Sequence, residues 1–143
     1  MVWFPEMSTC RVPGNLAGMA TADDIRATIT TYGERFGTDR EGWLDCFSAD
    51  ATLEDPVGSD VRKGRDQIGE FWDFAHSLAD AVEVRVATPV CVAGTEAAFH
   101  IQIVSTLGDT QVMIPAIDAM VFDDDAKITQ MRAFWTMEDM RPL

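Results

Sequence analysis

Apolar residues recur at helical spacing in the first half of the chain and at strand spacing in the second. Ile25, Ile29, Tyr32 and Phe36 fall at i, i+4, i+7 and i+11, one stripe of a helix. Thr21, with Asp24 three residues on, forms a variant of the capping box at its start, and Gly37 marks its end. Asp39 then caps a short second helix carrying Trp43, Leu44 and Phe47 on one side. Ala51 to Asp55 reads as a strand with Ala51, Leu53 and Asp55 on one face, stopped by Pro56 and Gly58. A residue before proline is pushed to extended geometry, so Asp55 stands at a stiff strand end. A third helix follows Gly64, with Ile68, Phe71, Trp72, Ala75 and Leu78 as its apolar stripe. From Val82 the period shortens to that of a strand. Val84 to Val92, Ala97 to Thr106, Gln111 to Phe122 and Ile128 to Trp135 are four predicted strands, parted by turn signals at Gly94, Gly108-Asp109 and Asp123-Asp124-Asp125.

Three helices followed by a run of long strands is an α+β pattern. A strongly curved, mostly antiparallel sheet wrapped around the helices would make a cone with an apolar interior. Residues 1–20 hold Pro5, Pro13, Gly14 and Gly18 without sustained periodicity, and are expected to be a poorly ordered N-terminal extension. Residues 21–143 are then a single domain, long enough for one sizeable core.

Composition narrows the partners. A net charge of −13 argues against nucleic acid and against an anionic membrane surface, since both need a basic face. No apolar run is long enough to span a bilayer, and no basic segment followed by an apolar one opens the chain as a secretory signal would. The three cysteines, Cys10, Cys46 and Cys91, form no CxxC pair and suit a reducing cytoplasm, with Cys46 and Cys91 expected in the core. His76 and His100 are far apart in sequence and form no metal-binding pattern, so a metal is not expected.

Three residues could carry chemistry. Asp118 lies inside Pro115-Ala-Ile-Asp-Ala-Met-Val-Phe122, with Ile114, Ala116, Met120 and Phe122 on its own face and no Lys or Arg nearby in that strand. A carboxylate buried there would pair with a cation or take up a proton. Either it meets an arginine from another strand, Arg85 or Arg132, or it is a neutral acid able to donate a hydrogen bond. Tyr32, the only tyrosine, sits on the buried stripe of the first helix, where its hydroxyl needs a partner. It is either a core aromatic bonded to a backbone carbonyl or a functional phenol. Asp55 is either a turn-initiating residue before proline or a general base at the rim of an apolar cavity. One carboxylate to move a proton, with a phenol and a neutral acid to hold a developing oxyanion, would form a coherent set.

From about Thr21 to Thr136 the chain resembles the bacterial Δ5-3-ketosteroid isomerase branch of the NTF2-like superfamily. The matching stretches are Ala51-Thr-Leu-Glu-Asp-Pro-Val-Gly58, Gly64-Arg-Asp-Gln-Ile68, Ile117-Asp-Ala-Met120 and Met131-Arg-Ala-Phe-Trp135. The resemblance implies an NTF2-like cone and cofactor-free isomerisation of a 3-oxosteroid or similar enolisable ketone. In it Asp55 would be the general base, and Tyr32 and a protonated Asp118 the oxyanion hole. It implies an apolar pocket with Trp135 near the base, and a homodimer. Trp72, Phe71, Phe47, Met113 and Met120 are further candidates for lining that pocket. Phe47 and Trp72 stand where some members carry tyrosines that support the catalytic phenol, which implies a thinner hydrogen-bond network around Tyr32. A non-catalytic steroid or lipid binder, or a related polyketide cyclase or hydrolase, would use the same cone. Epoxide-opening relatives tend to place an arginine between two aspartates, so the position of Arg85 and Arg132 relative to Asp118 separates that branch.

Overall fold

A computed structural model describes residues 18–143. The expected extension at residues 1–20 therefore lies almost wholly outside the described residues, while Ala20 packs on the core. Helix α1 (Ala22–Phe36) starts as its sequence dictates. Thr21 Oγ1 accepts from the Asp24 backbone N–H at 3.1 Å, and Asp24 accepts from the Thr21 N–H at 2.9 Å. Its stripe of Ile25, Ile29, Tyr32 and Phe36 is buried. Helix α2 (Arg40–Leu44) is a single short piece capped by Asp39, and α3 (Gly64–Ser77) closes the group.

The strands are β1 (Phe47–Glu54), β2 (Arg62–Lys63), β3 (Ala81–Val86), β4 (Cys91–Ala93), β5 (Glu96–Leu107), β6 (Thr110–Phe122), β7 (Ile128–Phe134) and β8 (Arg141–Pro142). The main sheet runs β2-β1-β7-β6-β5-β3, with β4 beside β5 and β8 beside β6. Among the described residues, only β1 and β7 pair in parallel. The fold is the expected α+β arrangement of three helices against a curved, mostly antiparallel sheet.

Three local expectations are corrected. Phe47 opens β1 instead of riding on the second helix, because α2 ends at Leu44 with Asp45 as its C-cap. The stretch Val84 to Val92 is two strands, since Pro89 has no N–H to give to a ladder. Cys46 is buried as expected, but Cys91 is exposed on the edge strand β4.

The register sets every face that matters. Phe99, Asp118 and Ala133 lie side by side across β5, β6 and β7, all pointing to the core. Alternate residues of β5 and β6 continue that inner face past the Asp118 level. Helix α1 crosses β3 so closely that a Cβ on Gly33 would stand 2.7 Å from Val86 Cγ2. That approach presses Tyr32 down toward the middle of the sheet.

Candidate active site

The inner face of β5 and β6, the underside of α1 and α3, and the chain after β7 enclose a cavity of about 360 Å³. Phe36, Phe71, Val84, Ile101 and Ile114 are typical of its wall. Among the described residues, two titratable side chains border it, Asp55 and Tyr32, and Ser105 adds a hydroxyl.

Asp55 follows the last residue of β1, where Pro56 ends the strand. Trp135, just past β7, donates its indole N–H to Asp55 Oδ1 at 2.6 Å. The parallel pairing of Glu54 with Arg132 fixes this meeting, because it brings the end of β1 alongside the end of β7. Glu54 itself accepts from Arg132 at 2.9 Å on the other side of the strand. Val57 N–H donates to the Ala133 carbonyl at 2.8 Å and pins the turn after Asp55. Burial in the apolar wall pushes the Asp55 carboxyl up to about 6, against the Trp135 hydrogen bond that lowers it.

Tyr32 and Asp118 lie deeper. The Tyr32 hydroxyl donates to Asp118 Oδ2 at 3.3 Å and also faces the Met131 sulfur at 3.5 Å. Asp118 is fully buried, and its Oδ1 has no hydrogen-bond partner among the described residues. Burial, then the charge of Asp55, holds the Asp118 carboxyl well above the usual carboxylate range, and only the Tyr32 hydrogen bond opposes this. Burial and the same two carboxylates raise the Tyr32 phenol well above its ordinary value. That environment favours the protonated form of the Asp118 carboxyl over the charged one.

The two arginines that could have paired with Asp118 do not approach it. Arg132 binds Glu54, and Arg85 binds Glu83. Each neighbours an inward residue on its strand, Ala133 and Val84, and so projects from the opposite face of the sheet.

A family model for the SnoaL-like domain matches residues 25–131. The chain belongs to the SnoaL-like family. Over 119 residues this SnoaL-like chain is 45% identical to the Steroid Delta-isomerase of Nocardioides simplex, a match covering 82% of the chain and 94% of that protein. Among solved structures it is similar to SalBIII, described as an epoxide hydrolase/cyclase-like enzyme with a role in pyran ring formation in the polyether salinomycin. That similarity has a TM-score of 0.75 at 26% identity and covers 85% of this chain and 97% of the other.

Of the residues expected around the SnoaL-like cavity, Phe71 and Trp135 border it. Phe47 sits behind Tyr32 in the core, edge-on to Trp43 with ring centroids 4.8 Å apart. Trp72 turns away, donating its N–H to the Phe36 carbonyl at 3.0 Å and stacking on His76. Met120 is buried in the core, and Met113 lies on the outer face, opposite Val104. With Phe47 and Trp72 so placed, no second phenol stands by Tyr32. Its hydroxyl hydrogen-bonds only to Asp118 and Met131 among the described residues. Ile101, Ile103 and Ser105 line the cavity as well, and their two-residue spacing on one strand is the sequence signal for it. Met137 and Met140 also border the cavity, but they lie between β7 and β8 and carry no periodic signal.

Proposed function

We propose that this protein is a steroid Δ-isomerase, which moves a double bond from the β,γ to the α,β position of a 3-oxosteroid. The observation that carries the reading is a desolvated carboxylate, Asp55, sharing one apolar chamber with the Tyr32 hydroxyl that binds a fully buried acid, Asp118. The 45% identity to the Nocardioides simplex protein supports it.

In this mechanism Asp55 takes the proton from the carbon between the carbonyl and the double bond. The electron pair left behind delocalises onto the carbonyl oxygen as a dienolate. Tyr32, at the cavity wall, turns its hydroxyl hydrogen from Asp118 to that oxygen, where charge appears only as the reaction proceeds. Asp118, just behind the wall, donates a hydrogen bond from its own proton to the same oxygen once substrate is seated. Protonated Asp55 then returns the proton two carbons along, and the carboxylate is restored. Trp135 holds Asp55 Oδ1, which leaves the other oxygen to carry the proton. A base with a carboxyl near 6 is ionised at neutral pH yet more basic than an ordinary aspartate, as a proton shuttle requires.

The direct test is growth of the ultraviolet band of a conjugated enone when purified protein meets 5-androstene-3,17-dione. No growth, with tight binding of the planar phenol equilenin, would replace the enzyme with a steroid-binding protein. The base also predicts a pH profile. The kcat/KM should rise about tenfold per pH unit below about 6 and level above it, because only the ionised base reacts. In Trp135→Phe the inflection should move up, as the one contact lowering that value is gone. A profile flat from pH 5 to 8 removes Asp55 from the role.

The same reading includes a homodimer. Ile117 and Phe134 form a cross-strand pair on the outer face of the sheet, both left exposed, and a second copy would cover them. A monomer mass by light scattering ends that part of the proposal.

A further inference from the structure

Five of the ten large apolar side chains left exposed among the described residues are not scattered. Phe74, Leu78, Leu107, Met137 and Met140 all border the mouth of the one cavity that holds Asp55 and Tyr32. They come from three separate elements: the end of α3, the end of β5 and the 3₁₀ turn Met137–Asp139 with the residue after it. Apolar side chains gathered this way around a cavity mouth mark a surface made to be covered.

The register shows how far that surface lies from the chemistry. Asp118 and Ala133 share a level on the sheet, and Asp55 comes in beside them from the end of β1. The cavity then follows β5 and β6 toward their hairpin, where Val112 faces Ser105 and Thr110 faces Leu107. Val112 lies six residues beyond Asp118 on β6, which at the rise of a strand is about 20 Å. The four fused rings of a steroid do not span that length. Among the described residues, Ser105 is the last hydrogen-bonding side chain along this path, and the mouth beyond it is lined with hydrocarbon and thioether. With a net charge of −13, an anionic group at that end would be repelled.

We propose that the mouth is a second subsite, which binds a long, uncharged hydrocarbon side chain on the ring of the substrate farthest from the ketone. The substrate class is thereby a 3-oxosteroid with an intact sterol-type side chain, not the bare ring system. The inference rests on the isomerase reading for the orientation of the substrate. Each methylene moved from water to this collar strengthens binding about fourfold, so a branched chain of several carbons has a large effect.

The test compares 5-cholesten-3-one with 5-androsten-3-one, two ketones that differ only in the side chain, both delivered in cyclodextrin. The wild type should show a KM at least tenfold lower for the cholestenone. In the double variant Leu78→Ser/Met137→Ser the ratio of the two values should fall toward one. Both positions are more than 60% exposed, so the fold does not depend on them. Equal KM values in the wild type, or an unchanged ratio in the variant, overturn the proposal. Quenching of tryptophan fluorescence by 4-cholesten-3-one and 4-androsten-3-one, the two products, is measured alongside. If neither ketone is isomerised, the isomerase reading fails, and the same tenfold preference in product binding still decides the subsite. A variant that changes its mass in solution but not the ratio would make the collar a contact between copies, and the subsite would be rejected.

Discussion

Asp55→Asn lowers kcat by at least about 10³-fold and shifts KM little, when the enone band is followed under saturating ketone. The amide has the shape of the carboxylate and can still accept from the Trp135 N–H, so the cavity keeps its form. What it lacks is a lone pair basic enough to hold the proton between the two carbons. Among the described residues, no other carboxylate borders the cavity to take its place. A loss of less than tenfold would show that the proton travels another way, and the mechanism would have to be abandoned. Thermal unfolding of the variant separates this from damage to the fold.

The buried acid gives the second large effect. Asp118→Leu and Tyr32→Phe should each lower kcat by about 10²–10³-fold, the size of one lost oxyanion donor. Asp118→Asn keeps an N–H donor at the same place and should retain most of the rate. The contrast between Leu and Asn at one position tests donation by the side chain, because packing alone would not distinguish them in this way. Should Asn be as slow as Leu, the proton on the carboxyl is needed for something other than holding the oxygen. Because Tyr32 and Asp118 are joined by a hydrogen bond, the double variant Tyr32→Phe/Asp118→Leu should lose less than the product of the two single losses.

Much of this was legible in the sequence. The capping pair Thr21 and Asp24, the stripe ending at Phe36, and the halved period after Val82 report local physics, which the fold then keeps. Asp118 stood out because an acid in an apolar strand demands an explanation wherever the strand goes. Other features depended on neighbours that the sequence does not name. Phe47 continues the apolar pattern of α2, yet the helix is too short to hold it. Met113 and Met120 have opposite parity on β6, so one face could not take both, and the parity alone does not say which faces the cavity. Trp72 and Phe71 are neighbours on α3, and only the position of Phe36 decides which of them meets the cavity. The Asp55–Trp135 contact depends on a parallel pairing between β1 and β7, strands far apart in the chain.

The raised carboxyl of Asp55 has a thermodynamic side. Its value in the folded protein, about 6, exceeds the ordinary 3.8, so folding draws a proton onto it between those two pH values. The neutral acid is the form the fold prefers. Its contribution is complete below about pH 4 and is lost as pH rises through 6, a change of roughly 3 kcal/mol by linkage. Asp118, pushed upward by its own burial, works in the same direction. The conditions that arm the base are therefore those in which it strains the fold most. Asp55→Asn, nearly inert as a catalyst, should melt higher than the wild type at pH 8 and lose that advantage at pH 4. The protein carries its reactivity as a standing debt of conformational stability, drawn only when the carboxylate is charged.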